Sequence, residues 1–307
     1  MSRSPNPARY ATAASPDWPV GVICALQRVR VQLIYFCRHS RLANLTAPRR
    51  LTEHIQRRKL DPSDPRLPLL ADKVAVKAHV ARLLGSAWTV PLLWHGDQLP
   101  GRPAWPYPFV AKSRHGCGHF RVVRNAGDYT AARRASSRWM RRTYGRWLDE
   151  HHYAAIAPGL LVEPFVGEGF DYPTDYKLFV FNGRVRFVQV HLGRRTRHRW
   201  IVFDLDWRRV SPPSEDPDPK RPATLDRMIT AAERLGRDFD FVRADFYEVA
   251  GRPLFGELTF FPGSGLEPVE PPALDAEMGA WWSRSRAAAP ASQPPFSSLL
   301  PLFLPIS

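Results

Sequence analysis

Cysteine is scarce in this chain: Cys24, Cys37 and Cys117 are its only three in 307 residues. They are too few and too unevenly spaced for a disulfide framework or a zinc site. With no secretory leader recognisable, they predict a reducing compartment, a bacterial-type cytoplasm. Acidic residues are also in short supply, 29 Asp and Glu against 44 Lys and Arg, for a formal charge of +15. No uncharged apolar run is long enough to span a bilayer. The longest candidate, Val20 to Cys37, is broken by Arg28 and Arg30. It predicts an amphipathic helix packed on the core, with an anionic membrane surface as the alternative. Helix-turn-helix, zinc-finger and RNP signatures are missing, so charge alone speaks for nucleic acid and no specific nucleic-acid partner is expected. Neither a Ser-His-Asp or Cys-His set nor an internal repeat is visible.

The excess positive charge is clustered. One group runs through Arg121, Arg124, Arg133, Arg134, Arg138, Arg141, Arg142 and Arg146, and a second through Arg194, Arg195, Arg197, Arg199, Arg208 and Arg209. Such patches attract polyanions, including an acidic glycan or a nucleotide. Residues 1–17 read as a Ser/Pro/Arg-rich tail, followed by a mainly helical segment to about Trp94. Within it, Asp72 opens a helix that Gly85 stops. Strands are expected in WPYPFVAKS, FRVVRN and GLLVEPFV, with an Arg-rich helix from about Gly127 to His151. TDYKLFVFNGRVRFVQVHL reads as a hairpin turning at Asn182-Gly183. A helix from about Ala223 to Gly236 leads into the last hairpin, and the chain after Trp282 reads as a disordered tail. Strands joined through short turns, with helices between hairpins, predict an α+β fold with antiparallel sheets. The divisions expected are 1–46, 47–106, 107–166, 167–282 and 283–307.

The segment FVRADFYEVAGRPLFGELTFFP, residues 241–262, is the most informative. It predicts a hairpin folded about Gly251 through an Ala-Gly-Arg turn, so that paired positions sum to 502. Asp245 then faces Glu257 and Arg243 faces Thr259, all on one side of the ribbon. Two opposed carboxylates repel each other, and a hard cation between them relieves the cost; oxygen ligands without Cys or His suggest Mg²⁺. The competing reading is a solvated polar face, but Glu257 stands among Phe255, Leu258, Phe260 and Phe261.

Lys112 ends a strand before the Gly-punctuated loop Arg114 to His119. A strand-end lysine with Gly116 and Gly118 suits phosphate oxygens, although no GK[ST] helix follows. His115 and His119 read more readily as loop residues than as catalysts. Glu163 is either a solvated strand-end charge or an acceptor for an adenine amino group, with Glu168 or Asp171 on the ribose. Lys177, on one strand face with Asp175, Phe179 and Phe181, is either an ion-pair partner or a phosphate contact.

Taken in order, LTEHIQRRKLDPSDPRLPLLADK (51–73), FVAKSRHGCG (109–118), DEHHY (149–153), DYKLFVFNG (175–183) and VRADFYEVAGRPLFGELTFFPGSG (242–265) resemble the TupA-like branch of the ATP-grasp fold, found with bacterial surface-polysaccharide genes. The resemblance covers roughly residues 47–282. It implies two antiparallel-sheet α+β subdomains clasping ATP behind a helical N-terminal extension. Lys73 and Lys112 would lie on the phosphates, with Lys77 competing for the place of Lys73, and the loop from His115 through Gly116 to Gly118 would close over them. Glu163 and nearby backbone, including Val166, would hold the adenine, and Glu168 or Asp171 the ribose. Asp245 and Glu257 would hold Mg²⁺, with Thr259 where many relatives place an Asn ligand. Arg243, with Lys177, would stabilise an acyl-phosphate or the phosphoryl group in flight. The activity implied is an ADP-forming carboxylate–amine ligase of surface-polysaccharide biosynthesis acting on an anionic small molecule or glycan. A nucleotide-sugar glycosyltransferase, using Asp204-Leu205-Asp206, and a small-molecule kinase are the alternatives. The setting implies contact with the inner membrane or a polysaccharide-assembly complex. Asp245→Asn is expected to stop ATP turnover while leaving the fold stable.

Overall fold

Local chemistry sets the first elements. Asp72 Oδ1 accepts from the backbone N–H groups of Val74 and Ala75, at 2.9 and 3.3 Å, and so caps the helix that follows. Gly85, at φ +99°, ends it. A computed structural model describes residues 20–61, 64–142, 144–167, 171–193, 198–214 and 217–284. Four helices lead in: α1 (Val20–His39), α2 (Leu51–Leu60), α3 (Leu67–Ala71) and α4 (Ala75–Leu84). Then come β1 (Trp94–Gly96), β2 (Phe109–Ser113), β3 (Phe120–Val123), α5 (Ala126–Trp139), α6 (His151–Ala154) and β4 (Leu160–Pro164). The second half holds β5 (Asp175–Phe181), β6 (Arg184–Leu192), β7 (Arg199–Phe203), α7 (Leu225–Gly236), β8 (Phe241–Val249), β9 (Arg252–Thr259) and α8 (Pro272–Ser283).

Two antiparallel sheets result, ordered β1-β4-β2-β3 and β7-β6-β5-β8-β9, which is the α+β arrangement expected. Tyr129 and Ala132 of α5 pack on Phe109, Val123, Leu160 and Val162 of the smaller sheet. Met228, Ala231, Ala232 and Leu235 of α7 belong to the core of the larger one. Gly236 lets that helix approach closely, since a Cβ there would lie 2.6 Å from Val180 Cγ1.

The β8–β9 hairpin reaches the expected pairing by an unexpected route. Its loop is two residues, Ala250 and Gly251, both left-handed at φ +48° and +70°, and Arg252 already pairs with Val249. That turn alone would bring Asp245 opposite Gly256 and send Glu257 to the other face. A bulge between Asp245 and Phe246 adds one residue, so Asp245 faces Glu257 and Arg243 faces Thr259. Gly256 takes the bulge because a Cβ there would stand 3.1 Å from the Asp245 carbonyl oxygen. The Asn182-Gly183 turn is as expected, at φ +49° and +77°.

Two expectations change. The Arg-rich helix stops at Trp139 instead of reaching His151, and it could not have run that far, since Gly145 is left-handed at φ +85° and a Cβ there would lie 2.4 Å from the Glu150 oxygen. Helix α1 packs on the core along one side only, through Val31 and Tyr35, and leaves Leu26, Leu33 and Phe36 exposed. Among the described residues no helix is long and apolar enough to cross a membrane. The two expected tails lie almost wholly outside the described residues.

Ala250 occupies a left-handed position that Asn tolerates better than Ala. Ala250→Asn should therefore raise stability by roughly 0.5–1 kcal/mol, read as a rise of about 1–3 °C in thermal melting. A drop would show that the loop is not the two-residue turn described.

Candidate active site

One row of side chains crosses the larger sheet strand by strand: Val202, Gln189, Lys177, Asp245, Glu257. The next row holds Phe179, Arg243 and Thr259. Register therefore concentrates four ionisable groups on adjoining strands. Asp245 is 2 % exposed. Its Oδ1 accepts from Arg243 Nε at 2.7 Å, and its Oδ2 from Arg243 Nη2 at 2.8 Å and from Lys177 Nζ. Burial alone would raise its pKa, but Arg243 and Lys177 outweigh burial and hold the carboxyl below its usual range. Burial likewise opposes the charge on Arg243, which Asp245 and Glu257 keep protonated, with its pKa raised. Lys177 also pairs with Asp175 at 2.8 Å. Glu257 is looser: it is one-third exposed, and its cations Arg243 and Lys73 stand 3.9 Å away.

The smaller sheet presents a second set. Glu163 on β4 pairs across β2, its two oxygens 2.5 Å from Lys77 and Lys112. Burial would raise its pKa, yet Lys112 and Lys77 hold it below the usual carboxylate range. Lys77 also donates to the Val90 carbonyl at 2.6 Å. Lys73 donates to the Gly116 carbonyl at 2.7 Å and so joins the glycine loop to the side of the cleft that carries Glu257.

Between the sheets lies a cavity of about 410 Å³, lined by Lys73, Lys112, Gly116, Gly118, Glu163 and Val166 on one side and Lys177, Asp245 and Glu257 on the other. Most residues singled out from the sequence thus converge. His115 does not face the cavity: it is buried, its Nδ1 accepts from Gly159 N–H, and its other ring nitrogen lies 3.3 Å from the Trp139 carbonyl. It pins the loop. Asp171 is exposed and outside the lining, and Glu168 lies outside the described residues. Thr259 Oγ1 accepts from Arg243 at 3.1 Å. The exposed arginines of α5, Arg133, Arg134 and Arg138, form a basic surface apart from the cavity lining. Asp204 and Asp206 are both paired with Arg208 in the turn after β7.

Sequence reasoning missed the apolar end of the cavity, where Val110, Phe120, Val122, Phe165 and Tyr172 gather. Phe120 and Phe165 each stand 6.1 Å, edge-on, from Tyr172. The i, i+2 spacing of Phe120 and Val122 was the available signal; the approach of Tyr172 from another strand's lead-in had none.

The donor set suits a hard cation in part. Asp245 and Glu257 are oxygen ligands on neighbouring strands, and Mg²⁺ is commonly held by one or two carboxylates with substrate phosphates completing the shell. No cluster of three or more His, Cys, Asp or Glu able to hold a metal occurs among the described residues. The Thr259 hydroxyl is already bonded to Arg243, so the fit rests on the two carboxylates.

The sequence model of the TupA-like ATP-grasp family matches residues 53–282. No curated protein gives a match. Similar solved structures include an ATP-bound D-alanine–D-alanine ligase from Bacillus anthracis, at TM-score 0.44 and 14 % identity over 68 % of this chain and 61 % of that one. A D-Ala:D-Ser ligase from Enterococcus faecalis gives 0.44 and 13 % over 70 % and 61 %. An L-amino acid ligase from Bacillus licheniformis gives 0.42 and 15 % over 67 % and 44 %. The chain spans about 60 % of the length of the D-alanine–D-alanine ligases among these similar structures.

Because Asp245 balances two buried cations, Asp245→Asn should lower stability by about 3 kcal/mol, contrary to the expectation of an unperturbed fold. Glu257→Gln should cost under about 1 kcal/mol, since its ion pairs are long and partly solvated. Urea unfolding of both variants checks this order.

Proposed function

The chain belongs to the TupA-like ATP-grasp family, and from that premise we propose that it is an ATP-dependent, ADP-forming ligase joining a carboxylate to an amine. The observation that carries the reading is the cavity with Lys112 and Lys73 on one wall and Lys177, Asp245 and Glu257 on the other, Arg243 being bonded to Asp245 behind that lining. ATP would enter with its adenine against Val110, Val122, Phe120 and Tyr172 and its phosphates towards the glycine loop and the hairpin. Glu163, with both oxygens engaged, would act by holding Lys112 and Lys77 in place rather than by accepting from the base. Asp171 or Glu168 would reach the ribose. Mg²⁺, held by Asp245 and Glu257, would neutralise phosphate charge.

The residues present suit phosphoryl transfer, which needs positioning and charge neutralisation more than a protein nucleophile. A substrate carboxylate oxygen attacks the γ-phosphorus and the bond to ADP breaks. The amine then attacks the acyl carbon, phosphate leaves, and the amine nitrogen loses a proton. Arg243, held through two bonds to Asp245, would stabilise the charge on the transferring group. Before ATP arrives, Lys177 and Lys112 are paired with Asp245 and Glu163. The family resemblance to surface-polysaccharide proteins and the basic face of α5 together favour an anionic glycan or glycan precursor as the acceptor. The Asp204/Asp206 pair offers little to a nucleotide sugar, since Arg208 already occupies it.

Thermal melting with Mg²⁺ and a non-hydrolysable ATP analogue should give an upward shift of several degrees, on the order of 5–10 °C at about a hundred times the dissociation constant. The shift should shrink in Glu257→Gln, the variant expected to keep its fold. Incubation with ATP, acids and amines should release ADP and phosphate and give a product lighter than its two precursors by one water. A phosphorylated product would make the protein a kinase, and a shift with nucleotide sugars alone would overturn the ATP reading.

A further inference from the structure

Helix α1 carries two apolar sides, of which the core uses one. Val31 and Tyr35 are buried against Ala43, Leu45 and Leu60. On the other side Leu26, Val29, Leu33 and Phe36 recur at intervals of three, four and three residues and are each half or more exposed. Such spacing puts all four on one stripe of the helix. Isolated exposed apolar residues need no explanation, but a continuous stripe marks an interaction surface.

Charge selects the partner. The twenty residues of α1 include Arg28, Arg30 and Arg38 and not one Asp or Glu. Arg30 is bonded to Asp149, whereas Arg28 and Arg38 are exposed and form no ion pair among the described residues. The contacts of Arg30 with Asp149 and of Gln27 with His151 tie the 147–151 segment to the helix. That segment begins with Trp147, 73 % exposed, beside exposed Arg146. An apolar stripe, unpaired arginines and a projecting indole are the parts of a helix lying in the plane of a lipid–water interface. Arg28 and Arg38 fall at helical spacing with Val31 and Tyr35, on the side turned from the stripe, which is where an interfacial helix carries its cations.

We propose that α1, with Arg146 and Trp147 beside it, docks this protein on an anionic lipid surface. The apolar stripe enters the headgroup boundary while Arg28 and Arg38 meet lipid phosphates. The inference stands on this surface alone and does not depend on the ligase reading.

Co-sedimentation of the full chain with phosphatidylcholine vesicles, with and without phosphatidylglycerol, tests it. Binding should require the anionic lipid and weaken with added salt. Arg28→Glu should reduce it by at least about five-fold. Leu26→Glu with Leu33→Glu should abolish it while melting temperature is retained, since both side chains are already exposed. The shift with the ATP analogue should survive in that double variant. Failure to bind anionic vesicles, or equal binding by the double variant, would overturn the proposal. So would a lipid-independent dimer, seen by light scattering, that the double variant splits, which would assign the stripe to a second copy.

Discussion

The Asp245 carboxylate, 2 % exposed, faces the Arg243 guanidinium and the Lys177 ammonium at once. Two buried cations without it would each bear a desolvation penalty of several kcal/mol. With it, β5 and β8 are joined by charge as well as by their ladder, and the polar face of the sheet keeps one arrangement. Glu257, on the far side of Asp245 from Lys177, is left comparatively loose. That contrast separates a residue that holds the site together from one available to a ligand.

The smaller sheet uses the same device. There one buried acid, Glu163, is shared by Lys112 and Lys77, and Lys73 hands the glycine loop across to the hairpin side. The cleft is therefore bounded by groups whose charges are satisfied locally but whose partners can be exchanged. A polyanion entering it would find lysines already positioned, so little side-chain entropy remains to be lost on binding. Outside the cleft the basic excess is spent on surfaces, α5 and α1, whose arginines have few acids near them.

Much of this was legible in the residues. The alternation in 241–259 showed that Arg243, Asp245, Glu257 and Thr259 share a face, and Asn182-Gly183 marked its turn without ambiguity. Asp72 and Gly85 marked the ends of a helix by capping chemistry. The bulge at Gly256 was not legible: the correct pairing was reached from a turn one residue too long, and only the ladder shows that two departures cancel. The end of α5 was missed because an Arg-rich stretch has good helix propensity, and the approach of Gly145 to Glu150, which bars one helix as far as His151, joins residues whose packing no local pattern records.

What the sequence by itself determined is the local chemistry: which residues alternate on a strand, where a helix is capped, which loop can approach an anion, and the ordered motifs that mark the family. These depend on neighbours a few positions apart, and short-range geometry constrains them. What the tertiary structure decided is who faces whom across long separations. It gave Glu163 to two lysines rather than leaving it in solvent, and it turned His115 inward to hold Gly159. It also brought Phe120 and Tyr172 together, and among the described residues it left one side of α1 uncovered. Each of those outcomes depends on how separate elements pack and which of them shields a charge or an apolar stripe from water, and no local pattern records that.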